Sequence, residues 1–172
     1  MRWNSIKILP LLSVLFLLVT GCSSDINEEK SNVVEAAKKA FEGAPEETNT
    51  KSGEIEFYLP SGYQIEEEDE YNITLKNKGD IILLFINPNE EATSTLLLDL
   101  IEQDKGEYLE YVKFEEKDKI GFVALKEIDE KTYELTVGVG GVKITTQTEA
   151  KRLESYAEQL MKMANSIEQY NH

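Results

Sequence analysis

Histidine, cysteine and arginine are nearly missing from this sequence of 172 residues, which holds one His, one Cys and only two arginines, Arg2 and Arg152. Each scarcity removes a class of chemistry. A Ser, Thr or Cys nucleophile is most often activated by an imidazole, and the single imidazole here belongs to the last residue, His172. A chain end does not hold an imidazole in triad geometry, so acyl transfer is not expected. Zinc sites of the His and Cys type fail for want of ligands, and one cysteine cannot form an intrachain disulfide. Bases of every kind are outnumbered, 18 against 33 acids, for a formal net charge of -15. Gripping nucleic acid requires clustered Lys and Arg to neutralise phosphates, and this balance excludes it. Long apolar runs are scarce as well. The longest, 8–19, holds about a dozen residues and is interrupted by Pro10 and Ser13, short of the roughly 20 that a bilayer-spanning helix requires. The chain therefore reads as a non-enzyme, with no cofactor and no metal site expected.

What is present suffices for one folded domain. The hydrophobic set makes up 41% and charged residues 30%, too apolar a mixture for a disordered chain. Arg2 and Lys7 ahead of the apolar run, and the small pair Thr20-Gly21 behind it, form a secretory signal peptide. The junction Leu18-Val19-Thr20-Gly21-Cys22 resembles the lipobox of bacterial lipoproteins, in which an aliphatic residue, a small residue and Gly precede the modified cysteine. The resemblance implies cleavage between Gly21 and Cys22 and a diacylglyceryl thioether on Cys22, the new N-terminus. It divides the chain into a signal peptide (1–21), a lipidated Cys with a polar linker (22–31) and a single acidic domain (32–172). Loss of Arg2 and Lys7 takes the charge from -15 to -17. One acyl chain binds a membrane marginally and two or more hold it stably, so the expected location is the extracytoplasmic face of the cell membrane. The preference for Lys over Arg fits a Gram-positive cell; a Gram-negative envelope stays open.

Within the domain, Asn32 and Glu35 form a capping box, and Val33, Ala37 and Phe41 share a side before Gly43 and Pro45, which predicts a helix over 32–42. Ile55, Phe57 and Leu59 alternate with polar neighbours as in a half-buried strand. Tyr71, Ile73 and Leu75 alternate again, and Asn77-Lys78-Gly79-Asp80 turns the chain into the apolar run 81–86, expected to be a strand covered on both faces. The stretch 92–103 leans to a helix. Segments 108–114, 120–128, 132–139 and 142–148 are separated by polar or glycine turns and read as an antiparallel meander, with Gly140-Gly141 at a two-residue hairpin. A stripe of Leu153, Tyr156, Leu160, Met163 and Ile167 marks a closing helix over 149–169 capped by Thr148. The expected class is α+β, an antiparallel β-sheet packed by N-terminal and C-terminal helices.

The strand end Phe57-Tyr58-Leu59-Pro60-Ser61-Gly62-Tyr63, the segment Lys119-Ile120-Gly121-Phe122, the hairpin and the ending Ala164-Asn165-Ser166-Ile167 resemble two related groups. One is the uncharacterised domain of small Gram-positive lipoproteins and anti-sigma factor C-termini; the other is the PsbP-like α/β/α sandwich. The resemblance covers residues 54–168 and implies fold, an α/β/α sandwich of accessory or binding subunits. It transfers no catalytic residue.

Three further features bear on function. The run Glu66-Glu67-Glu68-Asp69-Glu70 lacks the spaced ligands and turn glycine of an EF-hand loop and reads as a solvated acidic loop. The segment Gly138-Val139-Gly140-Gly141 lies between strands and opens no helix, so a turn explains it better than a phosphate loop. Tyr58, Tyr63, Tyr108 and Tyr111 are the candidate binding surface, since phenols present both an apolar body and a polar tip. The leading expectation is a membrane-anchored surface lipoprotein acting as a non-enzymatic interaction or accessory module. Its partners are the membrane, through the lipid on Cys22, and an envelope or extracellular protein, a basic one being favoured by the charge. The alternatives are a binder of a small ligand or cell-wall fragment through the tyrosines, and an immunity or inhibitor lipoprotein against a secreted toxin or enzyme.

Overall fold

The computed structural model describes residues 26–168; the signal segment, the Gly21-Cys22 junction and His172 lie outside the described residues. Seven antiparallel strands form the main sheet: β3 (Gln64–Glu68), β4 (Asn72–Asn77), β5 (Asp80–Ile86), β6 (Glu110–Glu115), β7 (Ile120–Glu127), β8 (Thr132–Val139) and β9 (Val142–Glu149), in the order β3-β4-β5-β9-β8-β7-β6. The meander expected over 108–148 is therefore present, and β5 joins its far side by pairing with β9. Hairpin chemistry fixes the registers. Lys78 and Gly79 both take positive φ, 51° and 91°, between β4 and β5, as a type I′ turn demands. Gly140 does so at 51° between β8 and β9. Two short strands, β1 (Thr50–Ser52) and β2 (Ile55–Phe57), form a separate hairpin. The first of these was hidden in a polar stretch with no apolar alternation.

Helices α1 (Ile26–Glu42) and α3 (Leu153–Ser166) pack together on one face of the sheet, over Ile73, Leu75, Ile82, Leu84, Leu135, Val137 and Ile144, all buried. Helix α2 (Leu96–Gln103) lies on the other face, over Phe122 and Ala124. The class is α+β, with an antiparallel sheet and packed terminal helices. None of the described helices is long and apolar enough to cross a membrane.

Four expectations are corrected. Helix α1 starts at Ile26, so half of the expected linker is helical and Asn32 lies inside the helix. Ile26 packs against the core and Lys30 reaches the Leu109 carbonyl oxygen, and Glu28 and Glu29 suit the positive end of the helix dipole. Thr148 caps nothing. It lies within β9, one residue before its end, donates to the Asp80 carboxylate at 2.7 Å, and α3 follows a 3-10 turn over Ala150–Arg152. The acidic run is largely an edge strand, β3, with a register shift between Ile65 and Glu67. Charges and bulges on an edge discourage strand addition, which accounts for the acids without an ion. Finally, β5 is covered on one face only along Ile81 and Leu83.

Two glycines let aromatic rings close the layers. A Cβ on Gly121 would stand 2.6 Å from the Phe41 ring of α1, and one on Gly138 would stand 2.5 Å from Cζ of Phe122 and 2.8 Å from the Val142 carbonyl oxygen. The C-terminus of α1 is also gripped from outside. The Asn165 amide donates to the carbonyl oxygens of Ala40, Phe41 and Gly43, each at 3.3 Å. Lys119 donates to the Phe41 oxygen and to Asn165 Oδ1, and its ammonium lies 4.5 Å from the Phe41 ring centroid.

Candidate docking face

The strand period of two places Thr74, Leu83, Thr145, Thr136 and Ala124 in one transverse row on β4, β5, β9, β8 and β7, on the face away from α1 and α3. Helix α2 covers the β6 and β7 side of that face, and its cluster extends to Phe85 of β5. Leu97, Leu98 and Ile101 point into the sheet, with Phe85, Tyr108, Tyr111 and Ile120 packed around them. On one flank of α2, Glu102 accepts the Tyr111 hydroxyl of β6 at 3.0 Å. Leu96 and Leu100, one turn apart, lie on the side of α2 turned away from that buried set. Both are exposed, at 45% and 52%, as are Ile81 and Leu83 of β5, at 47% and 55%. The strip of face between α2 and β5, here the trough, is bordered by exposed Leu96 and Leu100 on α2 and exposed Ile81 and Leu83 on β5, with half-buried Thr145 and buried Thr136, 3% exposed, in the strands between. Those two hydroxyls bond one another at 3.1 Å, which leaves the strip with little polar demand.

The rim is anionic. Lys76 is paired with Glu66 and Lys126 with Glu107, and Lys143 adds a third cation beside Phe85. Against these stand Glu66, Glu67, Glu107, Glu134 and Asp99, on the open side of the strands, in the turn before β6 and on α2. One feature of the sequence and one of the strand pairing agree with an open face here. Five of the first six α2 residues are apolar, more than one face of a short helix can bury. The strands on either side of β5 carry Lys76, Lys143 and Gln147 on the same face as Ile81 and Leu83, which a doubly covered strand would not tolerate.

The four candidate tyrosines are not brought onto one surface. Tyr108 and Tyr111 are half-buried against the α2 cluster. Tyr58 is half-buried by the end of α3, where its backbone N–H donates to the Ser166 hydroxyl at 2.8 Å. Tyr63 is buried in the main core, edge-on to Tyr156 at 6.3 Å between ring centroids, and donates to Gln159 Oε1 at 2.9 Å. The sheet therefore separates Tyr63 from the Tyr108 and Tyr111 pair.

Around Tyr156 the structure builds a corner clamp. Tyr156 donates to the Asn77 carbonyl oxygen at 3.0 Å, and the Arg152 Nε lies 3.2 Å from the Asp80 carboxylate, which ties the β4 to β5 turn to the start of α3. Burial, then the neighbouring Asp80 carboxylate, pushes the Tyr156 phenol up to about 12, and burial, then Tyr156, pushes Tyr63 up as well. Both groups ionise near 10 when unfolded. The unfolded chain thus loses these protons first, and the stabilisation, complete below pH 10, is lost as pH rises toward 12. Urea unfolding midpoints are expected to fall across that window, and Tyr156→Phe should start lower but fall less steeply. A parallel fall in the variant would contradict this assignment.

Among the described residues no group of His, Cys, Asp and Glu is arranged to hold a metal ion. Comparison with protein-family models, curated proteins and solved structures finds no match to this chain.

Proposed function

We propose that this protein is a lipid-anchored docking module of the cell envelope, held by Cys22 on the extracytoplasmic face of the membrane, that binds a basic envelope or extracellular protein through the trough between α2 and β5. The observation that carries the reading is the exposure of four large aliphatic side chains on this face of the molecule, Ile81 and Leu83 of β5 and Leu96 and Leu100 of α2. Monomeric proteins rarely leave a contiguous apolar patch without a use. The charge selects the occupant. A second copy of a cleaved chain carrying -17 meets self-repulsion, and an anionic lipid surface meets the same, whereas a partner with Lys and Arg around an apolar segment matches the exposed aliphatics and the acidic rim.

Two substitutions separate anchor from docking. Cys22→Ala is expected to move the protein from the membrane fraction to the medium, or to leave an unprocessed precursor; unchanged membrane association would remove the anchor from the account. Leu83→Glu and Leu100→Glu alter exposed side chains, so thermal stability should stay within about 0.5 kcal/mol of the parent. Retention of the basic partner should drop at least about tenfold, and the parent's binding should weaken as salt rises. Undiminished retention in both variants would refute docking at this trough, and salt-insensitive binding would refute the basic partner.

A further inference from the structure

A cavity of about 720 Å³ opens elsewhere on the molecule, where the β1–β2 hairpin, the β3–β4 turn, the end of β5 and the segment after α3 converge. Its size lies within the range of small-ligand sites, roughly 300–1,000 Å³. The floor is apolar: Ile86 and Ile167 are buried and Ile55 is half-buried. Tyr71, 39% exposed, also lines the cavity. That residue sits on a rigid turn, because the Asp69 carboxylate accepts the backbone N–H groups of Tyr71 and Asn72 and Ile86 N–H donates to the Tyr71 carbonyl oxygen.

The polar part of the lining is one-sided. Its one cationic side chain, Lys51, is held to Glu56 at 3.0 Å. Glu70 accepts the Tyr71 hydroxyl at 2.9 Å and keeps its remaining lone pairs. Among the described residues, no hydrogen bond or ion pair engages the carboxylates of Glu54 and Glu168, which also line the cavity. A phenol ring and carboxylates around an aliphatic floor are complementary to a cation carried on an apolar stem, since the ring quadrupole and the carboxylates attract the same charge. An anion would be repelled from this cavity, and a neutral apolar ligand would gain nothing from the carboxylates.

We infer that this cavity binds an alkyl ammonium or guanidinium group, supplied by a small free amine or by a Lys or Arg side chain of a peptide. The site shares no residue with the docking trough, and either can fail without the other.

The experiment is calorimetric titration of the folded protein with cadaverine, agmatine, a blocked Lys-containing peptide, a blocked Arg-containing peptide and, as the neutral control, pentanol. At least one cation is expected to bind, pentanol not to, and Tyr71→Ala and Glu70→Gln each to weaken binding about tenfold. Glu54→Gln should weaken it in the same direction, while Asp118→Asn, away from the cavity, should not. Tighter binding of the free amines assigns a small-molecule source, and tighter binding of the blocked peptides assigns a side chain; both support the cation site. Absence of binding by all four cations at millimolar concentration, equal binding of pentanol, or insensitivity to both Tyr71→Ala and Glu70→Gln would overturn it.

Discussion

Gly138→Ala should lower the unfolding free energy by about 3 kcal/mol, the upper end of what overpacking a tight interior usually costs. The position lies in the middle of the sheet, and the added methyl meets two obstacles at once, the Phe122 ring and the Val142 carbonyl oxygen. The ring cannot swing away freely, because Leu97, Leu98 and Ile101 of α2 cover it. For a domain of this size the melting temperature should fall by roughly 6–12 °C. Adding Phe122→Leu makes room on the ring side and should recover part of the loss, whereas Phe122→Leu alone destabilises by leaving a void. Denaturant unfolding of the two single variants and the double variant measures the coupling directly. Additive losses would mean that the ring and the glycine do not share one space.

The second large effect is expected at the end of α1. Its last carbonyls are bonded by Asn165 of α3 and by Lys119, which precedes β7. A helix terminus without such donors exposes its orphan acceptors. The grip is charge-assisted, as Lys119 is mostly buried between Glu116 and Asn165. Lys119→Met and Asn165→Leu are each expected to cost about 1.5–3 kcal/mol, the range for hydrogen bonds involving a charged or buried partner. Their sum should exceed the cost of the double variant, because each group bonds the other. Amide exchange should quicken first from Ala37 to Phe41, and protection unchanged in that segment would contradict the assigned role.

Periodicity made most of the fold legible. Strict alternation marked β4 and β8, glycine turns marked the hairpins, and the stripe Leu153, Tyr156, Leu160 and Met163 marked α3, since each signal is local and the burial it implies is one-sided. What escaped has a tertiary origin. The extra turns of α1 depend on Ile26 reaching the core and Lys30 reaching Leu109, contacts some 80 residues distant in sequence for Lys30. The edge strand β3 carries hardly any apolar signal, because its identity comes from pairing with Ile73 and Leu75 of β4. The trough was obscured for the opposite reason. An unbroken apolar run such as 81–86 has the same composition whether its second face is covered or waiting for a partner, and the position of α2 decides which. The tyrosines misled as a group, since one residue type at strand positions says nothing about which side of the sheet each ring takes.

The most direct test of the docking account is site-specific photocrosslinking of the protein in its own cells. A photoreactive side chain at position 83 or 100 probes the trough, and one at the exposed position Glu154 of α3 serves as the control. The account predicts that one basic protein is captured from positions 83 and 100 and not from 154. When purified, that protein should bind the parent in a salt-dependent way and fail to bind Leu83→Glu. Capture that is equal at all three positions, or no specific product at 83 and 100, would contradict it.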